Sequence, residues 1–262
     1  MENNYLGRED APIGAETWNQ LDNLMVGVAK STLAGRKILT VNGPYGFGLK
    51  GVPLTDYGVK EGVSASGFMP LSAISFPFCL GKRDLAAFER DHLPMTLNPL
   101  ALAVIDCAKK EDEIVFSGSS GCAGLLTVKG AGSLTLSKWD KVGTAAEQVI
   151  DAVTKLDEAG FHGPYTMALA PAQYNLLLRR YPQGAGTELD HISSIVTGGV
   201  VKAPTLKKGG VILDADPAVA SVVLGQDMKI GFTGPSEDSL GFYVGESLAL
   251  LINLPEAICV LK

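Results

Sequence analysis

Glu111, Asp112 and Glu113 form the one tight cluster of groups in this chain that could bind a metal or move a proton. Neighbouring residues on a helix sit about 100° apart, so three consecutive carboxylates point to different sides and cannot converge on one ion. The spacing predicts a solvated helix face or a salt bridge between subunits. His92, His162 and His191 lie far apart, and none has a partner at the i, i+4 spacing of helical metal ligands. No serine sits in a G-x-S-x-G elbow, although a triad built from distant segments stays compatible with the sequence. Gly43-x-x-Gly46-x-Gly48 has the wrong spacing for a dinucleotide loop and opens no helix. Gly118-Ser-Ser-Gly121-Cys-Ala-Gly124 has no lysine and no following helix, so it reads as a loop rather than a phosphate cradle. Cys79, Cys107, Cys122 and Cys259 make no C-x-x-C pair and read as buried, reduced thiols. The basic pairs Lys82-Arg83 and Arg179-Arg180 read as solvated surface unless they line a pore or an interface. The chain thus carries no recognisable catalytic set, and no metal is expected.

The elements that position these residues come from a chain of 262 residues, 46% hydrophobic and 19% charged, which supports a sizeable core. A net charge of −6 argues against a nucleic-acid or anionic-membrane binder. No apolar run reaches the roughly 18 residues that span a bilayer. Residues 1–10 are polar and acidic, unlike a secretory leader, so the cytoplasm is the expected location.

Residues 1–15 read as a polar arm without periodicity. Thr17 can cap a helix in which Trp18, Leu21, Leu24, Met25, Val28 and Ala29 recur at helical spacing, with Gly35 as its stop. The apolar arc is wider than one core contact needs. Residues 38–41 read as a strand and Gly43-Pro44-Tyr45-Gly46 as a turn. Residues 48–80 read as one long extended hairpin with its tip at 57–67, too poor in apolar residues to hold its own core. After a short helix at 85–90, Asn98 caps and Pro99 opens a helix that runs to Gly118, the longest after the opening one. Thr144 and Glu147 form a capping-box pattern for a helix carrying Val149, Ile150, Val153 and Leu156. A strand at 166–170, a helix at 171–180 and an exposed loop at 181–186 follow. Thr187 and Asp190 form a second capping box. Strands are expected at 200–203, 210–214, 220–224, 228–232, 241–253 and 257–261. Helices in the middle and strands at both ends describe an α+β chain.

A family resemblance runs through the whole chain. Leu33-Ala-Gly-Arg-Lys37, Gly43-Pro-Tyr-Gly46, Glu111-Asp-Glu-Ile-Val-Phe116, Gly124-Leu-Leu126, Gly163-Pro-Tyr165, Leu224-Gly-Gln-Asp227 with Ile230-Gly231, and Pro255-Glu-Ala257 occur in this order. Together they resemble the encapsulin nanocompartment shell proteins of family 1, the linocin-like proteins. The resemblance implies an HK97-like phage capsid fold. Its parts would be an N-terminal arm and inner helix (1–47), an E-loop (48–80), a P-domain with spine helix (81–133), an A-domain (134–223) and a return to the P-domain (224–262). It further implies self-assembly into a closed icosahedral shell, of the small T=1 form with about sixty subunits. Such shells take up cargo enzymes by their C-terminal targeting peptides. The cargo would be a dye-decolourising peroxidase, ferritin-like protein or hemerythrin, serving iron storage or oxidative stress. Arg36, Thr40, Ala29, Ile230 and Leu254 would lie at the docking groove, and the wide apolar arc adds Leu24, Met25 and Val28. Tyr181, Pro182, Gln183, Gly184, Ala185 and Gly186 match the loop around the five-fold pore and carry no charge. Where flavin-carrying members stack a flavin on a tryptophan, this chain has Arg83, so no flavin and no other cofactor is expected. A phage or prophage capsid protein is the alternative, and a protease or bacteriocin-like enzyme a third reading. No nucleic acid and no membrane is expected as a partner.

Overall fold

The computed structural model describes residues 4–119, 121–182, 184 and 186–262. Two 3₁₀ turns, Asn4–Leu6 and Arg8–Asp10, lead into α1 (Ala15–Thr32). A third, Gly35–Lys37, precedes β1 (Thr40–Asn42), β2 (Gly51–Lys60), β3 (Val63–Pro70) and β4 (Ser72–Gly81). Next come α2 (Lys82–Asp91), α3 (Asn98–Ser117) and the short strands β5 (Gly118–Ser119), β6 (Cys122–Ala123) and β7 (Gly132–Leu134). Then follow α4 (Thr144–Glu158), β8 (Tyr165–Leu169), α5 (Pro171–Leu176) and α6 (Glu188–Ile195). The chain finishes with β9 (Gly199–Lys202), β10 (Gly210–Asp214), β11 (Ala220–Pro235), β12 (Ser239–Ile252) and β13 (Ile258–Leu261). It forms two compact units. One comprises Met1–Leu33, Gly43–Glu111 and Leu224–Ala249, the other Ala34–Asn42, Asp112–Val223 and Leu250–Lys262. The segment 224–262 is therefore divided between them.

In the first unit, Thr17, Leu21, Met25 and Ala29 bury one i, i+4 row of α1. The helix begins before Thr17, at a Gly14 N-cap, so Thr17 lies in the first turn instead of capping it. The cap comes from α2: Glu89 Oε1 accepts from Gly14 N at 2.6 Å and from the Thr17 hydroxyl at 2.8 Å. α1 ends at Thr32, before Gly35. Arg8 of the N-terminal arm packs against it. Arg8 lies 3.9 Å over the Trp18 ring and makes two bonds to Asp22, at 3.2 and 2.7 Å, and Leu6 is buried.

The expected long hairpin is shorter than 48–80. β2 and β3 pair antiparallel about Gly62, which takes φ +72° at the tip. β4 instead pairs along its full length with β12, from Ser72 opposite Leu248 to Gly81 opposite Ser239. That pairing buries Phe78 on Phe242, with Trp18 edge-on to Phe242 and Phe232 tilted beside it. β11 is one continuous strand, Ala220–Pro235, where two were expected. α3 includes Asn98 in its first turn, not as a cap, and at 20 residues it is longer than α1 at 18.

The second unit is a mixed sheet, β7-β13-β10-β8-β9, with β13 parallel to β7, β8 parallel to β9, and the two inner pairs antiparallel. β8, β10 and β13 are buried throughout. α4 buries Ala145, Ala146, Val149, Ala152 and Leu156 in a core with Trp139, Met167, Leu177 and Ile192, while Ile150 faces outward at 44% exposure. The Thr144 capping box does not form: Gly143 is the N-cap and no side chain of α4 bonds back. The Thr187–Asp190 box does form and opens α6. α5 stops at Leu176, short of 180.

The acidic cluster is not a solvated face. Glu111 and Asp112 are buried and only Glu113 is exposed. Asp112 accepts from Ala34 N at 3.0 and 3.1 Å and from Gly35 N at 2.8 Å, closing the 3₁₀ turn that follows α1. A Cβ at Gly35 would stand 3.0 Å from the Val115 side chain, so any larger residue in this turn would have to push Val115 aside.

Candidate functional site

The proposed docking residues divide between the units. Leu24, Met25, Val28, Ala29 and Ile230 belong to the first, and Arg36, Thr40 and Leu254 to the second. Burial separates them further. Ile230 has no exposed surface, and Met25 and Ala29 keep 3% and 8%. These three serve the core, because their row of α1 and the inward face of β11 are already covered. Leu24 and Val28 flank that row half-buried, Arg36 and Thr40 are half-buried, and Leu254 is 39% exposed. Thr40 sits on β1, which runs parallel to β11 with Thr40 opposite Ser221. Leu24 and Val28 thus remain accessible in the first unit, and Arg36, Thr40 and Leu254 in the second.

Sequence reasoning missed a cavity of about 540 Å³ in the first unit, at the root of the hairpin. Phe47, Leu49, Leu71, Tyr243, Ser247 and Gln226 are among its walls. The Tyr243 ring lies against the backbone of Gly231 and Gly245, where side chains would collide with it. Burial pushes its hydroxyl above the usual tyrosine range. Alternating small and aromatic residues in β12 are its only trace in the sequence.

In the loop at 181–186, Gln183 and Ala185 lie outside the described residues. Tyr181 N donates to Gly186 O at 3.2 Å, and Arg180 pairs with Thr187 across the stem. The Tyr181 hydroxyl meets His191 Nδ1 at 2.9 Å. Burial, then the charges of Glu188 and Glu147, push that hydroxyl upward. A loop with no charge of its own thus stands on a stem of Arg179, Arg180, Glu188 and Asp190.

The remaining candidates are dispersed. Lys82 is not free surface: its Nζ donates to Ser236 O at 2.5 Å and Glu237 O at 3.0 Å, holding the turn between β11 and β12. Arg83 is exposed on the first turn of α2. Arg179 is half-buried against Glu188. His92 stands 3.7 Å from Glu16 and His162 3.1 Å from Asp157. None of the four cysteines forms a disulfide. Cys107 and Cys259 are buried as expected, but Cys79 is exposed on edge strand β4 and Cys122 is half-buried. Among the described residues no group of three or more His, Cys, Asp or Glu could hold a metal ion, and no helix is long and apolar enough to cross a membrane.

Comparison with known proteins gives this geometry a context. The family described as "Encapsulating protein for peroxidase" matches residues 3–249. The type 1 encapsulin shell protein of Myxococcus xanthus is 30% identical over 276 aligned residues, covering 98% of this chain and 96% of the relative. A diheme-cytochrome–encapsulin shell fusion protein of Kuenenia stuttgartiensis is 30% identical over 267 residues, 95% of this chain and 74% of the fusion. Among solved structures, the virus-like particle of Pyrococcus furiosus superposes with a TM-score of 0.77 at 23% identity, covering 95% of this chain and all of that one. The capsid of the myovirus XM1 superposes with a TM-score of 0.60 at 11% identity, covering 86% and 90%. The fold is the α+β, HK97-like capsid fold.

Proposed function

The chain belongs to the family of encapsulating shell proteins, and from that premise we propose that its copies close into an icosahedral compartment in the cytoplasm that holds a cargo enzyme. The observation that carries the assembly is the β2–β3 hairpin. It has two strands, and Leu54, Tyr57, Val59, Val63 and Phe68 are exposed along it. A two-stranded ribbon is marginal alone, so this one acts as an E-loop that gains its packing from a neighbouring copy. On the same reading, 81–133 with α3 serves as the P-domain, 134–223 as the A-domain, 224–262 as the return, and 181–186 as the five-fold pore loop. The particle is the small T=1 form, of about sixty subunits.

Cargo docks by a short C-terminal peptide; the residues accessible to one are Leu24 and Val28 in the first unit and Arg36, Thr40 and Leu254 in the second. One peptide binds modestly, and several on one oligomeric enzyme bind by avidity. The family's description and the cytochrome-fused relative favour a redox enzyme such as a dye-decolourising peroxidase, with ferritin-like proteins and hemerythrins as the other candidates. The chain itself is a wall and not a catalyst. With the exposed Arg83 at the position of the stacking tryptophan, no flavin binds there; flavin absorbance in purified particles would refute this.

Electron microscopy of the purified protein, with mass spectrometry of whatever co-purifies, tests the proposal. Closed particles free of nucleic acid and carrying one enzyme are expected. Nucleic-acid-filled particles would point to a phage capsid instead, and a protein that stays monomeric would sink the shell reading.

A further inference from the structure

Glu188, the first residue of α6, has no exposed surface. Its Oε1 accepts from three amides where α4 begins: Gly143 N at 2.9 Å, Ala145 N at 2.9 Å and Ala146 N at 3.1 Å. Its Oε2 has no hydrogen-bond partner and faces Arg179 Nη2, equally buried and without one, at 3.6 Å. Arg179 is fixed in turn, with Nε on Leu176 O at 2.9 Å and Nη1 on Asp140 O at 3.2 Å. One carboxylate thus stands between the positive end of a helix and a guanidinium. Residues 179 and 188 are also the two ends of the loop stem, where Glu188 N donates to Arg179 O at 3.0 Å. The same parts lie side by side at a second place: a Cβ built on Gly143 would be 3.8 Å from the Tyr181 ring, so the first loop residue stands next to the N-cap of α4.

We propose that Glu188 is a positioning residue that couples the stem of the loop, Arg179 to Tyr181 and Gly186 to Glu188, to the N-terminus of α4, so that the loop stem and the first turn of that helix open as one unit. A buried carboxylate that lost either partner would keep its desolvation cost with half its compensation, so neither side lets go alone. Local opening in proteins runs in such cooperative blocks, and this one joins segments more than forty residues apart (|i−j| 43 between Ala145 and Glu188). The consequence for passage through a pore rests on the proposed role of residues 181–186; the coupling does not.

Hydrogen–deuterium exchange of the full-length assembled protein tests it. Glu188→Gln keeps the size but removes the charge, and its amide turns a donor toward either Arg179 or the α4 amides. Segments 143–146 and 180–189 are expected to exchange faster together, by about tenfold or more. Faster exchange at 143–146 alone in E188Q, or no change in either segment, overturns the proposal. If E188Q does not fold, Arg179→Met serves: joint loosening of both segments is expected, and unchanged exchange in either overturns the coupling. Microscopy of the same samples keeps the two readings apart. Coupled exchange in a protein that forms no closed particle would refute the pore and retain the role of Glu188.

Discussion

At the scale of single residues, three carboxylates stabilise this chain by accepting backbone amides of distant segments. Glu89 serves the start of α1, Asp112 the turn after it, and Glu188 the start of α4. Asp112 is 1% exposed, so Asp112→Ala would strand the amides of Ala34 and Gly35 without water to replace the acid. The expected loss is about 2–3 kcal/mol, read as a lowered thermal midpoint, with Asp112→Asn recovering part of it. An unchanged midpoint would contradict this account. Asp157 makes a pH prediction. The Tyr165 hydroxyl donates to its Oδ1 at 2.6 Å, and His162 Nδ1 stands 3.1 Å from the same oxygen. The tyrosine bond first, then the histidine, holds this carboxyl below the usual range. A carboxyl lowered by folding stabilises the native state above its unfolded pKa of about 4, and the contribution fades as pH falls through the folded value. Tyr165→Phe should therefore cost a constant amount at neutral pH and less in acid, in denaturant melts across that range. A deficit that stays constant into acid would show that the bond to Asp157 carries none of it.

At the scale of elements, backbone fit decides more than side-chain chemistry. Gly43 takes φ +108°, and a Cβ there would come within 2.6 Å of Leu224 O. Nothing flexible can give way, so Gly43→Ala is expected to cost about 1–3 kcal/mol from the dihedral alone, with the clash added, and to cut the yield of folded protein. Melting like the parent would show that this segment is free to move. The hairpin behaves oppositely, since its exposed apolar residues make little contact within the chain. Replacing the ribbon beyond the Pro53–Phe68 pair by a short glycine linker should leave the circular dichroism of the helices intact and abolish particles in sedimentation. Particles that survive the truncation would rule out the hairpin as the link between copies.

At the scale of the whole molecule, the proposal that the shell holds a cargo enzyme requires that docking can be lost without loss of the wall. Val28→Asp and Leu254→Asp change accessible positions, so particles should form and co-purified enzyme should fall well below the parent level. Cargo retained in both would refute the docking surface. Ile230→Asp cannot serve as that test, because the residue is fully buried and a carboxylate there is expected to unfold the protein first.

The capping box at Thr187, Val149 and Leu156 on the buried face of α4, the strand at 210–214 and the capsid resemblance were all readable from the chain, because each is a local pattern or a motif in register. An α+β shell protein followed from them. Tertiary structure alone decided which acid caps which helix, since Glu89, Asp112 and Glu188 reach amides 75, 78 and 43 residues away. It alone set β13 between β7 and β10 and gave β4 to β12 rather than to the hairpin, because a strand's edges are satisfied by partners its own residues do not name. It also separated the buried from the accessible residues of α1. Periodicity marks an apolar face on α1, but whether Met25 or Leu24 stays accessible depends on what is packed over each, and that is fixed only when the other elements arrive.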